Sequence, residues 1–125
     1  MVQALEKGLI EAKADFKIQK IYEVDKERFF SGDLLVMISP ANGDEEIDRN
    51  FFKDFMVENA EKFNGKRVFL MGTYGWGGGV YLKKWRKQLE ELGAVVIADP
   101  VSCKGSPDKE MKEKLFNLGE ILKNI

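Results

Sequence analysis

The order of apolar and amphipathic segments predicts an α/β fold with a parallel sheet and helices on both of its faces. Three segments, 33–39, 66–73 and 94–100, are continuous apolar runs of strand length, which is typical of strands covered on both faces. Segments with apolar residues at helical spacing alternate with these runs along the chain. Such alternation indicates parallel strands joined by right-handed crossovers.

Length and composition predict one domain over residues 1–125. With 125 residues, 44% hydrophobic and 33% charged, the chain can bury one core but not two. A formal net charge of −1 does not indicate a basic surface that would bind nucleic acid. No apolar run is long enough to cross a membrane. The absence of histidine excludes histidine-dependent nucleophiles and histidine-metal sites. The single cysteine excludes an internal disulfide, which fits a reducing, cytoplasmic location.

The N-terminal segments predict a helix followed by an exposed strand. Apolar residues at Val2, Leu5 and Leu9 recur at helical spacing, so the chain is expected to begin in an amphipathic helix. Alternation around Phe16 and Ile18 predicts a half-exposed strand over 15–24.

The next segments predict the first buried strand and a second helix. The strand over 33–39 is bounded by Gly32 and Pro40, and the helix over 48–63 has Asp48 as a suitable cap and Gly65 behind it. The residues expected on one face of this helix are Phe52, Phe55, Met56, Asn59 and Phe63.

The second half predicts strand, helix, strand and helix. The strand over 66–73 is followed by a helix that ends at Gly93, a suitable C′ residue. After the strand over 94–100, Cys103 falls on a predicted loop. The last helix is expected to have Ser106 at its N-cap and Pro107 at N1. Its apolar stripe consists of Met111, Leu115, Leu118 and Leu122.

Two loops stand out because ligands of open parallel sheets bind outside the carboxyl ends of the strands. We call residues 39–46 (SPANGDEE) the acidic loop and residues 72–79 (GTYGWGGG) the glycine loop. The glycine loop matches neither a Walker loop nor a clean Gly-x-Gly-x-x-Gly motif. Its five glycines and two aromatic residues favour a ligand loop over a tight turn. The acidic loop alone favours a solvated lip, but both loops should face each other across one crevice.

The residues of these segments resemble the flavodoxin family. The strings NGKRVFLMGTYGWGGG, LEELGAVVI and SPDKEMKEKLFNLGEIL resemble the carboxy-terminal part of short-chain flavodoxins and of the flavodoxin module of flavodiiron proteins. GDLLVMISPANGDEE is similar to the preceding strand and first flavin loop. The resemblance runs from Met1 to Ile125 and implies a three-layer α/β/α fold with FMN at the strand switch point.

The resemblance also implies the residues that bind FMN. Trp76 looks like the aromatic residue that stacks on one face of the flavin ring, and Gly43 like the glycine whose peptide turns toward the reduced flavin. Negative charge beside the ring disfavours further negative charge on it. The full set of implied FMN-binding residues is Ala41, Asn42, Gly43, Asp44, Glu45, Thr73, Tyr74, Gly75, Trp76 and Gly77.

The chain departs from the family pattern in three respects. Asn42 stands where related proteins often have Met or an aromatic residue, and the net charge is near neutral rather than strongly acidic. The chain also opens in what looks like the body of the first helix. We therefore expect the first, central strand and the phosphate-binding loop after it to be missing from this chain.

Three functions are open at this point. The first is an FMN electron carrier between a reductase and an acceptor, not an enzyme. The second is a degenerate binding or interaction module without tight FMN binding, whose sheet a second copy or an exchanged strand would fill. The third, a flavin-dependent oxidoreductase, ranks last because the sequence offers no second nucleotide site and no catalytic acid or base.

Overall fold

A computed structural model describes residues 1–39, 41–42, 46–47, 52–74 and 79–124. Its α-helices are α1 (Val2–Glu11), α2 (Lys26–Phe30), α3 (Phe52–Glu58), α4 (Val80–Glu91) and α5 (Lys109–Lys123), and two short 3₁₀ helices span Ile21–Glu23 and Ala60–Phe63. Its strands are β1 (Leu35–Ile38), β2 (Ala41–Asn42), β3 (Glu46–Ile47), β4 (Arg67–Tyr74), β5 (Val95–Val96) and β6 (Val101–Lys104).

The chain divides into two compact units, each with its own internal packing. The sheet unit is Gln19–Lys104, and the helix unit combines Met1–Ile18 with Gly105–Ile125. The single domain over residues 1–125 stays a prediction. None of the helices in the part of the chain that the structure describes is long and apolar enough to cross a membrane.

The sheet is parallel, as predicted, and β4 is its central strand. β1 pairs with β4 from Leu35↔Val68 to Ile38↔Met71. On another part of its length β4 pairs with β5, and its last four residues pair with β6. Five consecutive residues of β4 are buried, in keeping with the continuous apolar run that predicted this strand.

Aromatic side chains fill the core of the sheet unit. The ring of Phe30 lies parallel to that of Phe55 at a centroid distance of 5.9 Å and edge-on to that of Phe63 at 5.1 Å. Phe52 meets Trp85 of α4 edge-on at 5.3 Å. These are favoured ring geometries.

The predicted helix over 48–63 is wrong in its extent, because α3 ends at Glu58 and a 3₁₀ turn spans Ala60–Phe63. Its predicted inner face is confirmed, since the residues expected there are buried or partly buried against the core. Its proposed cap, Asp48, lies outside the described residues.

The predicted strand over 94–100 is wrong in its extent. The chain pairs with β4 only at Val95–Val96, leaves the sheet, and returns at Val101–Lys104. Pro100 sits in the gap and has no N–H to donate to a strand ladder. Cys103, predicted on a loop, therefore lies on β6 opposite Thr73 and is buried.

The predicted strand over 15–24 is also wrong. Residues 14–20 pair with no strand within the described chain, and Ile21–Glu23 form a 3₁₀ turn. Alternating apolar residues indicate which side of a segment is covered, but a strand also needs a hydrogen-bonding neighbour. The short helix α2 was not predicted, although the Asp25 side chain accepts a hydrogen bond from the Arg28 N–H and caps it.

The helix unit consists of α1 and α5, which pack through glycines. A Cβ atom on Gly8 would overlap the backbone of Phe116, and one on Gly119 would overlap the backbone of Gly8. The cap prediction for α5 is wrong by two residues. Asp108 is its N-cap, because the Asp108 carboxylate accepts a 2.8 Å hydrogen bond from the Met111 N–H.

Candidate functional site

The acidic loop and the glycine loop start side by side at the carboxyl edge of the sheet. β1 ends at Ile38, opposite Met71 of β4, and the Ser39 N–H donates a 3.1 Å hydrogen bond to the Met71 carbonyl. β4 continues to Tyr74, where the chain enters the central part of the glycine loop. Both loops therefore leave neighbouring parallel strands in the same direction, and this edge is where such sheets bind ligands.

The structure describes four of the ten predicted site residues at the level of the backbone. Thr73 and Tyr74 are the last two residues of β4. Ala41 and Asn42 form β2, which pairs antiparallel with β3, so the acidic loop folds back on itself. The other six predicted residues, Gly43, Asp44, Glu45, Gly75, Trp76 and Gly77, lie outside the described residues.

Thr73 and Tyr74 are half-buried at the rim of the sheet. β6 runs beside them, with Cys103 opposite Thr73 and Lys104 opposite Tyr74. Lys104 is exposed and places a positive charge at this edge. The rim thus combines a hydroxyl, an aromatic ring and a cation on two adjacent strands.

Gly79, at the end of the glycine loop, lies close to Tyr74 at the end of β4. Gly79, the last residue of the loop, has a φ of +76° and serves as the N-cap of α4. A Cβ atom at this position would lie 3.6 Å from Tyr74 Cδ1 and 3.3 Å from Ser102 Oγ. Positive φ favours glycine, so this glycine has a structural reason that needs no ligand.

Tyr81, in the first turn of α4, connects the starts of the two loops. Its Oη lies 2.7 Å from the Ser39 carbonyl oxygen and 3.0 Å from the Thr73 carbonyl oxygen. The side chain is 1% exposed, and burial raises the pKa of the Tyr81 hydroxyl well above its ordinary value. The hydroxyl is the donor in both contacts, because a carbonyl oxygen can only accept.

Gly72 makes room for this hydroxyl. A Cβ atom on Gly72 would overlap both Tyr81 Oη and the Ser39 carbonyl oxygen. Two of the five glycines that favoured a ligand loop, Gly72 and Gly79, are thus required by the protein's own packing. Sequence reasoning missed Tyr81, and the available signal was a phenol inside an apolar helix face, since a buried tyrosine needs a polar partner.

The described rim fits a flat, uncharged ring system better than a metal ion. Tyr74 supplies an aromatic surface and Thr73 a hydroxyl, both partly accessible. Among the described residues no group of three or more His, Cys, Asp or Glu side chains is placed to hold a metal.

Sequence comparison relates the chain to flavodoxins over its whole length. The family model described as Flavodoxin matches residues 1–119. A flavodoxin from Clostridium beijerinckii is 30% identical over 125 residues, covering 100% of this chain and 90% of that protein. A flavodoxin from Megasphaera elsdenii is 31% identical over 101 residues, covering 81% of this chain and 74% of that protein.

Structure comparison gives the same result. The two-electron reduced flavodoxin of Megasphaera elsdenii matches with a TM-score of 0.84 at 27% identity, over 99% of this chain and 88% of that one. The flavodiiron protein from Giardia intestinalis matches with a TM-score of 0.81 at 16% identity, over 98% of this chain and 31% of that one, which shows the fold alone. These likenesses confirm the predicted flavodoxin-like α/β fold class.

Proposed function

The chain belongs to the flavodoxin family, and on this premise we propose that it carries electrons with FMN bound at the carboxyl edge of its sheet. The observation that supports the proposal most directly is that the acidic loop begins at Ser39 and the glycine loop at Gly72, on adjacent parallel strands. When bound, FMN supplies the redox chemistry, since it accepts and releases single electrons. The protein's contribution is to hold the ring, exclude water from it and set its electrostatic surroundings.

We assign the two walls of the ring site to the two loops. Thr73 and Tyr74 would line the ring from the end of β4, and Trp76 would stack on one face, because a flat indole ring offers a large contact area. Ala41 and Asn42 would contact the ring from the other loop. Gly75, Gly77 and Gly43 would let the backbone approach it closely.

Charge near the ring would set how readily it accepts electrons. Asp44 and Glu45 of the acidic loop would disfavour additional negative charge on the ring, because like charges repel strongly in a partly desolvated site. Lys104, exposed beside Tyr74, acts in the opposite direction. The net charge of −1 implies weaker electrostatic steering to basic partners than a strongly acidic carrier would have.

The proposed partners are redox proteins, a reductase that supplies electrons and an acceptor that receives them. In this role the protein has no substrate of its own and is not an enzyme. We place it in the cytoplasm, on the argument that one cysteine suits a reducing compartment. Association of two copies, or exchange of a strand between them, stays a prediction that a sedimentation measurement would test.

Titration with FMN tests the proposal. We expect stoichiometric quenching of flavin fluorescence, and a bound flavin that is reduced and reoxidised reversibly without turnover of NADH. Trp76→Ala should weaken binding by about tenfold or more, since an aromatic stacking contact and its buried area are lost. Trp76→Phe should retain most of the affinity.

Trp85→Phe is the matched control, because Trp85 is the other tryptophan and lies buried in α4. It should leave FMN affinity within about twofold of the parent, which would assign the stacking contact to the loop. Absence of FMN binding by the folded parent would contradict the proposal and favour the degenerate module. Robust NADH oxidation with FMN would instead favour an oxidoreductase.

A further inference from the structure

We propose that Tyr81 is a positioning residue, which fixes the starting points of the acidic loop and the glycine loop relative to each other. This inference rests on the proposed FMN site between these loops. Tyr81 lies in the first turn of α4 and outside both loops, so its effect on FMN would be transmitted through the backbone.

The contact geometry places one side-chain atom at both loop starts. Ser39 is the first residue of the acidic loop, and Thr73 is the second residue of the glycine loop. Their carbonyl oxygens lie 2.7 Å and 3.0 Å from Tyr81 Oη, both within hydrogen-bonding range. The hydroxyl therefore joins the first residue after β1 to the penultimate residue of β4, just beyond Ile38↔Met71, the last pair between these two strands.

The chemistry of the contact makes it specific for a phenol. A hydroxyl carries one proton, so Tyr81 shares a single donor between two carbonyl acceptors. Phenylalanine has the same ring shape but would leave both acceptors without this donor in a buried environment. The loss of a donor to a buried carbonyl costs more than the net value of the bond, because the carbonyl stays desolvated.

The backbone beneath the hydroxyl is adapted to it. Gly72 has no Cβ atom at the point where one would overlap Oη, and the ring of Tyr81 belongs to the aromatic core of the sheet unit. The ring is held by packing against the core, and the hydroxyl is consequently held at one place. The loop starts take their relative position from a rigid element, as a preorganised site requires.

Tyr81→Phe tests the inference, with Asn59→Leu as its matched control. Asn59 is also buried and donates a side-chain hydrogen bond to a carbonyl, that of Phe55 at 2.9 Å, but its partner is the carbonyl of an α3 residue and not of a loop start. Each substitution removes a buried side-chain group that donates a hydrogen bond to a backbone carbonyl. We expect Tyr81→Phe to raise the Kd for FMN about tenfold, and Asn59→Leu to change it less than about twofold.

Hydrogen exchange of the FMN-free proteins provides a second readout that does not need the cofactor. Peptides covering residues 39–47 and 73–80 should exchange faster in Tyr81→Phe than in the parent. In Asn59→Leu the same peptides should exchange at the rate of the parent. Gly72→Ala, which displaces the hydroxyl while keeping Tyr81, should reproduce the faster exchange.

The two readouts separate the two proposals. If the parent does not bind FMN, the proposed function fails, and the exchange of the two loops still decides the role of Tyr81. Equal effects of Tyr81→Phe and Asn59→Leu on loop exchange, or no effect of Tyr81→Phe, would overturn the positioning role. Circular dichroism confirms that each variant is folded before either measurement.

Discussion

The sheet unit and the helix unit reach close packing by opposite means. In the sheet unit, large rings such as Phe30, Phe55 and Phe63 fill the space between the sheet and its helices. In the helix unit, Gly8 and Gly119 remove side chains so that the backbones of α1 and α5 touch. Substitutions by smaller side chains should therefore destabilise the sheet unit, whereas substitutions of glycine by larger residues should destabilise the helix unit.

The largest effect is expected from Phe63→Ala in the sheet unit. Phe63 is fully buried against the rings of Phe30 and Phe55, so its truncation leaves a cavity. We expect a loss of about 3–5 kcal/mol in the free energy of unfolding, measured by urea titration. Val57→Ala is the control, since Val57 is 72% exposed and should change stability by less than about 0.5 kcal/mol. Equal losses in both variants would contradict the aromatic-core description.

Gly119→Ala should break the helix unit by adding one methyl group. The new Cβ atom would overlap the backbone of α1 at Gly8, which forces the helices apart at a cost of about 1–3 kcal/mol, reduced by the higher helix propensity of alanine, about 1 kcal/mol. Urea titration should show a net destabilisation. Glu120→Ala, at the exposed neighbouring position, should be nearly neutral. A stabilised Gly119→Ala protein would rule out backbone contact at this point.

Asp108→Ala sharpens the comparison by testing a local contribution to the helix unit. Removal of the hydrogen bond from the Met111 N–H to the Asp108 carboxylate should cost about 1 kcal/mol, the usual value of an N-cap. Ser106→Ala should change the thermal midpoint very little, because Ser106 is exposed and is not the cap. The reverse ranking of these two variants would restore Ser106 as the cap.

The smallest effect is expected at the surface of the sheet unit. The Arg86 guanidinium lies 2.7 Å from the Asp99 carboxylate, but the Asp99 side chain is 97% exposed. Asp99→Asn should therefore cost less than about 0.5 kcal/mol, and the difference should shrink further at high salt. A salt-independent loss larger than that of Asp108→Ala would show that this ion pair stabilises the unit as a buried contact does.

Local sequence patterns predicted the elements whose structure depends mainly on their own residues. β4 followed from its continuous apolar run, and the end of α4 followed from Gly93, which has a φ of +89°. The wrong predictions of strands arise because a strand forms only where another strand is available to pair with it. The segment over 15–24 alternates like a strand but pairs with none in the described residues, and Pro100 interrupts the outer partner of β4.

The edge of the sheet where both loops begin was predicted, but the hydrogen bonds that join the two loop starts were not. The apolar strands and their order placed both loops at one edge, because parallel strands share the direction of their carboxyl ends. Tyr81 escaped prediction because its partners are backbone carbonyls at Ser39 and Thr73, 42 and 8 residues away, and backbone acceptors leave no mark in a sequence. Gly72 is likewise required because a Cβ atom there would overlap the Tyr81 hydroxyl, which only the fold brings close to it.

Burial of the single thiol makes its rate of alkylation a measure of local opening of the structure. Cys103 is 7% exposed on β6, opposite Thr73, and the chain contains no other cysteine. Because the side chain is buried, an alkylating reagent reaches it through opening of the structure around β6, so the rate of labelling reports how often that opening occurs. The native cysteine therefore serves as a labelling site beside the strand that leads into the glycine loop, and no cysteine has to be introduced by mutation.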